Sequence, residues 1–236
     1  MQKAVVRWKG EASESDDSHE EEEEETEEES EGLYADISEL EIRWPSRIIL
    51  VAPSESGKTN LLKHLVYQNR DEFDHIWFFG KNQDEETWLP RNRRMKDVSQ
   101  KAIQKIWDFQ KKNKHLRCLI CLDDCLAEDF SSMFWKDFLS SCRHQNISVV
   151  FSIQYLKSCP PALRENVRDV FILHANNRTT AALYELNCSD ISKREFQSYV
   201  SSHCSFGQVV HMNCSPHAKH PLQTFSVGKA RNFRLQ

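Results

Sequence analysis

The chain has 236 residues, eight cysteines and a formal net charge of −5. Its length suits one globular domain with an appendage, and no run approaches the ~20 apolar residues that a bilayer span requires. The N-terminus "MQKAVVRWKGEA" has no apolar signal core, so the expectation is an intracellular chain with reduced thiols, not a secreted disulfide framework.

Residues 1–32 hold 14 acidic residues against three basic ones, a net of −11 that leaves the remainder at +6. The stretch "EASESDDSHEEEEEETEEESEG" has too few apolar side chains to offset the entropy of ordering. It is predicted to be a disordered acidic tail, either simply solvating, or a polyanion that competes with DNA for a basic surface or docks on a basic partner. The globular domain is expected over 33–236. There "RIILVAP" reads as a first strand, and "GKTNLLKHLVYQ" carries Leu61, Leu62, Leu65 and Val66 at helical spacing. "HIWFFG" (75–80) reads as a second strand, 81–98 as a polar loop and "QKAIQKIWDFQKKNK" as a helix with Ile103, Ile106 and Trp107 on one face. "RCLICLDD" (117–124) is a third strand ending in two carboxylates, followed by a helix over "DFSSMFWKDFLSSCRHQN". "ISVVFSIQ" (147–154) and "DVFILHA" (169–175) are further strands, "TAALYELN" and "SKREFQSYVSSH" read as helices, and "GQVVHMN" as an added strand. Near-continuous apolar strands separated by helices predict a doubly wound α/β domain with a mainly parallel sheet.

The stretch "APSESGKT" fits the phosphate-loop pattern G-x-x-x-x-G-K-S/T, with Ala52 in the first position. Ala52, Pro53, Ser54, Glu55, Ser56, Gly57, Lys58, Thr59 and Asn60 are the expected nucleotide-binding set. A strand before and an amphipathic helix after are what the loop requires, because its amides and the helix N-terminus must face the phosphates. Gly57 allows close backbone approach, Lys58 can reach the β- and γ-phosphates of ATP, and Thr59 can hold Mg2+. Asp123, at a strand tip, is the second magnesium candidate, and Asp124 the candidate base. Gln154 ends the fourth strand, where it can orient water.

These pieces, in this order, resemble the genome-packaging ATPases of large DNA viruses, of the poxvirus packaging-ATPase type within the FtsK/HerA superfamily. The resemblance covers 45–175, and "SCRHQNISVVFSIQYLKSCPPALRENVRDVFIL" is its most specific part. Related ATPases occur in Maverick/Polinton-like elements. The resemblance implies a RecA/FtsK-like core and ATP hydrolysis coupled to sequence-independent movement of double-stranded DNA into a capsid. It also implies a homo-oligomeric ring, a capsid or portal-like partner, and a place in the nucleus, a cytoplasmic viral factory or the virion. An arginine from one subunit would complete its neighbour's site. Arg143 is the first candidate, with Arg164 and Arg168 as alternatives. Asp-Asp stands where many superfamily members carry Asp-Glu, which leaves the base role of Asp124 open. A nucleotide kinase, or an assembly factor that binds nucleotide without hydrolysing it, is the competing reading. No N-K-x-D stretch points to guanine.

Two basic clusters, Arg91, Arg93, Arg94 and Lys96, and Lys111, Lys112, Lys114 and Arg117, are either solvated faces or contacts for DNA phosphates. His211, Cys214, His217 and His220, with Cys204, could gather around zinc, although their spacing is not that of a paired-ligand knuckle. Cys118 and Cys121 should point to opposite faces of one strand and, with Cys125, read as buried thiols.

Overall fold

The computed structural model describes residues 34–235 except 82, 85, 126–129, 157, 158, 160, 188–190, 216, 217, 219, 220 and 231–233. The acidic segment 1–32 lies outside the described residues. Strand β1 (Arg47–Val51) is buried along its whole length. It is followed by helix α1 (Lys58–Gln68) and strand β2 (His75–Gly80). Then come β3 (Arg94–Met95), α2 (Gln100–Lys112), β4 (Cys118–Asp123) and α3 (Met133–Ser141). The chain continues through β5 (Ile147–Ile153), the short α4 (Pro161–Arg164), β6 (Asp169–Ile172), α5 (Asn177–Asn187) and α6 (Lys193–His203). It closes with β7 (Gln208–Asn213) and β8 (Leu222–Ser226).

The eight strands form one sheet in the order β3-β2-β4-β5-β1-β6-β7-β8. Pairing is parallel from β3 to β6 and antiparallel from β6 to β8. Alternate residues of each central strand serve different cores, the period-2 consequence of the pleat. Ile49 and Val51 join one apolar cluster with Trp135, Phe138 and Ile103, while Ile48 and Leu50 join another with Leu61, Leu62, Leu65 and Val66. Cys118 and Cys121 fall in different clusters, as the alternation requires. Both faces are covered, which is why the strands read as unbroken apolar runs.

Three expectations need correction. The segment 81–98 is not only loop: Arg91–Arg93 form a 3-10 turn and β3 pairs with β2 through Phe78↔Arg94 and Phe79↔Met95. The helix expected up to Asn146 ends as an α-helix at Ser141, continues as a 3-10 turn over Cys142–Gln145 and stops where Asn146 adopts φ 55°. Strand β8 was not expected; it pairs along β7 from Met212↔Leu222 to Gln208↔Ser226 and buries Phe225.

Candidate active site

Parallel strands all end at one edge of the sheet, and the candidate residues of β1, β4 and β5 meet there. The base of the phosphate loop is tied on both sides. The Ala52 amide donates to the Ile153 carbonyl at 3.2 Å, and the Leu173 amide donates to the Val51 carbonyl at 3.2 Å. Between these ties and α1 the chain turns through two left-handed positions, Glu55 at φ 62° and Gly57 at φ 83°. The Ser56 hydroxyl donates to the Pro53 carbonyl at 2.7 Å and closes the turn. Gly57 is the N-cap of α1 and offers no side-chain acceptor to the first helical amides, and no acidic residue lies in the first turn. Those donors and the positive end of the helix dipole therefore face an exposed loop, which is a favourable setting for a phosphate.

Lys58 is 8% exposed. Its ammonium donates to the carbonyl of Ala52 at 2.7 Å and to that of Pro53. Burial lowers its pKa below the ordinary lysine range, against the pull of Asp123 and Asp124. The Thr59 hydroxyl donates to Asp123 Oδ2 at 3.2 Å, so the two oxygens proposed for magnesium converge. Burial raises the Asp123 pKa, while the hydroxyls of Ser152 and Thr59 and the charge of Lys58 pull it back. A desolvated carboxylate beside a hydroxyl is an oxygen donor set that suits a hard, oxygen-seeking cation, while the exposed loop amides suit the phosphates.

Asp124 follows in a left-handed conformation, φ 50°, held by its amide donating to the Ser152 carbonyl at 3.1 Å. Gln154 Nε2 donates to both carboxylate oxygens of Asp124, at 3.2 and 3.3 Å. The strand-tip glutamine and the candidate base therefore form one unit. Asn60 is different from its neighbours in the loop set. Its side chain donates to the Gly228 carbonyl at 3.0 Å and accepts from the Ala230 amide at 2.8 Å, and His64 Nε2 reaches the same Gly228 oxygen at 2.8 Å. Asn60 thus pins the C-terminal segment to α1, a role with no signal in the loop pattern.

Arg143 and Arg168 precede β5 and β6, so they lie at the opposite edge of the sheet from the phosphate loop. Arg164 ends α4, in the connection that returns from the loop edge to the start of β6. In the basic clusters, Arg94 donates to the Gln83 carbonyl, Arg117 pairs with Glu72, and Lys111 pairs with Asp108 and lies 3.7 Å from the Trp107 ring centroid. Arg91, Lys96, Lys112 and Lys114 are exposed. Of the zinc candidates, His211 is buried and its Nε2 lies 3.0 Å from Asp169, while Cys204 Sγ faces the Ile172 carbonyl. His217 and His220 lie outside the described residues. Among the described residues, no group of three or more His, Cys, Asp or Glu side chains could hold a metal, and no helix is long and apolar enough to cross a membrane.

This fold and loop define a P-loop domain with a mainly parallel, doubly covered sheet. The family described as Poxvirus A32 protein matches residues 36–180. The chain belongs to that family, the poxvirus-type packaging ATPases. It is 24% identical over 157 residues to uncharacterized protein 075L of Invertebrate iridescent virus 6, over 62% of this chain. The match spans 61% of that relative's length. The genome packaging NTPase B204 of Sulfolobus turreted icosahedral virus 2, solved with sulfate, has a similar fold. Its TM-score is 0.62 at 10% identity, over 80% of this chain and all of B204. The same protein solved with ATP-gammaS gives a TM-score of 0.59 at 11% identity, over 80% of this chain and 100% of that chain. The pCW3 conjugation coupling protein TcpA gives 0.55 at 9% identity, over 79% of this chain and 61% of TcpA.

Proposed function

We propose that this chain hydrolyses ATP to move double-stranded DNA, independently of sequence, into the capsid of a virus or virus-like element. The observation that carries the reading is the meeting of Lys58, Thr59, Asp123, Asp124 and Gln154 at one sheet edge, beside uncapped helix amides. Amides of residues 54–59 bind the phosphates of ATP, and Lys58 turns from the Ala52 and Pro53 carbonyls to the β- and γ-phosphates. Thr59 and Asp123 would hold Mg2+, which when bound neutralises charge on the β- and γ-phosphoryl oxygens.

Gln154 fixes the Asp124 carboxylate, and Asp124 takes a proton from water as the water oxygen bonds to the γ-phosphorus. The bond from that phosphorus to the β–γ bridging oxygen breaks, and ADP leaves with the electron pair. An edge-to-edge ring places Arg143 of one subunit at its neighbour's phosphates; Arg164 and Arg168 are the alternatives. Exposed cations such as Arg91 and Lys112 then engage the DNA backbone, whose phosphates carry no sequence information. A capsid or portal-like component receives the ring, in the nucleus, in a cytoplasmic factory or on the virion.

The test is displacement of a third strand from a DNA triplex by the purified protein with ATP and magnesium. Displacement with ATP, and none with a non-hydrolysable analogue, is the expected result. Hydrolysis without displacement would leave a nucleotide kinase or other NTPase as the better reading.

A further inference from the structure

The edge of the sheet opposite the phosphate loop carries a cavity of about 400 Å³. Three arginines from three separate segments line it: Arg43 before β1, Arg143 before β5 and Arg168 before β6. The three strands are adjacent in the order β5-β1-β6, so the sheet brings their leading residues together. Among the described residues none of the three arginines has an ion-pair partner. A fourth cation lies close behind: Arg47 is 5% exposed and donates to the Leu139 carbonyl at 2.8 Å, while its Nε has no partner among the described residues. Burial chiefly lowers the Arg47 pKa, and the neighbouring Arg143 charge pushes in the same direction. The carboxylate next in sequence does not neutralise them. Asp169 is 5% exposed, accepting from the Ser46 hydroxyl at 2.9 Å and facing His211 Nε2 at 3.0 Å.

We propose that this pocket is an anion site for a phosphate group, at the opposite sheet edge from the phosphate loop of its own subunit; it shares Arg143 and Arg168 with the ring contact proposed above, and Arg43, which that contact does not use, tells the two apart. Three cations that line one cavity, none of them ion-paired among the described residues, attract an anion into it. Each guanidinium carries about five N–H donors in a planar fork suited to phosphate oxygens, and three forks offer more donors than one carboxylate can accept. Hydrogen bonds tie the walls together. Trp44 is fixed by Nε1 donating to Asn69 Oδ1 at 2.9 Å and by an edge contact with Phe73, ring centroids 4.8 Å apart. The Arg168 amide donates to the Arg47 carbonyl at 3.0 Å, and the Cys214 amide to the Arg168 carbonyl at 2.7 Å. A flat indole beside the cations also accommodates the sugar or base attached to a phosphate. Two sources supply that group, the DNA backbone and a free polyphosphate.

The experiment uses the full chain carrying Lys58→Ala, which weakens the phosphate loop and makes the readout independent of hydrolysis. Inorganic tripolyphosphate is titrated by calorimetry, and a fluorescent DNA duplex by anisotropy, each with and without a further Arg43→Gln or Arg168→Gln change. Losing one charge-assisted contact should weaken binding about tenfold, with Arg43→Lys falling between. A loss for the duplex alone assigns the site to the DNA backbone, and a loss for tripolyphosphate as well assigns it to any phosphate. Unchanged affinity for both ligands in both variants overturns the proposal, as does equal competition by poly-glutamate. Arg43 is exposed, so its substitution should not lower the thermal melt, which separates lost binding from lost fold. If hydrolysis itself proves absent, these binding measurements still stand.

Discussion

Gly57→Ala separates the two things a loop glycine does. Gly57 sits at φ 83°, a conformation that costs an alanine about 1–2 kcal/mol. A Cβ placed there would meet only Leu173 Cδ2, at 3.8 Å, which is ordinary van der Waals contact. The folding cost is therefore backbone strain alone, which for a domain of this size lowers Tm by about 2–8 °C. Gly207 supplies the control. It has φ 72° with nothing within 4 Å of an added Cβ, and it lies in the turn before β7. Gly207→Ala should show the same fall in Tm and leave ATP binding intact. Gly57→Ala should in addition weaken ATP binding by tenfold or more, about 1.4 kcal/mol, because relieving the strain at φ 83° shifts the loop amides that face the phosphates. Differential scanning fluorimetry and titration with a fluorescent ATP analogue measure both quantities. If Gly57→Ala loses the same Tm as Gly207→Ala and binds the analogue as wild type does, the loop amides do not hold the phosphates.

Asp123→Asn removes a desolvated charge while keeping an acceptor for Thr59. It should raise Tm, on the order of 2–4 °C, and abolish magnesium-dependent hydrolysis, as read by scanning calorimetry beside a phosphate-release assay. Gln154→Ala should lower kcat about tenfold with little change in KM, since it frees the Asp124 carboxylate without touching the loop. Gln154→Glu should be worse, because it sets a second carboxylate against Asp124. Burial pushes the Cys118 and Cys159 thiols up to about 12 and Cys142 up to about 11. At pH 8 a disulfide-exchange reagent should therefore leave these three unmodified in the native protein and react with them only on unfolding.

Much of the architecture was legible because long, doubly covered parallel strands have an unmistakable pattern. "HIWFFG" and "RCLICLDD" are continuous apolar runs, and β2 and β4 coincide with them to within a residue. The phosphate loop was legible because strand, glycine turn and helix must be contiguous in sequence. The elements missed are those whose stability comes from partners elsewhere. Strand β3 is two residues, Arg94 and Met95, with no periodicity of its own; its pairing comes from Phe78 and Phe79. Strand β8, "LQTFS", buries only Phe225 deeply, and β7 supplies its ladder. The commitment of Asn60 to Gly228 and Ala230 joins residues 168 and 170 positions apart, a distance that a local pattern cannot bridge. The arginine pocket had a usable signal that went unread. Arg43, Arg143 and Arg168 each precede a strand, and knowing that β5, β1 and β6 are neighbours would have put the three together.

The most direct measurement is ATP hydrolysis by the purified full chain, with and without double-stranded DNA, beside Lys58→Ala. The account predicts turnover that DNA of any sequence stimulates, that rising salt weakens, and that Lys58→Ala abolishes. Turnover indifferent to DNA at low salt, or surviving in Lys58→Ala, would contradict it.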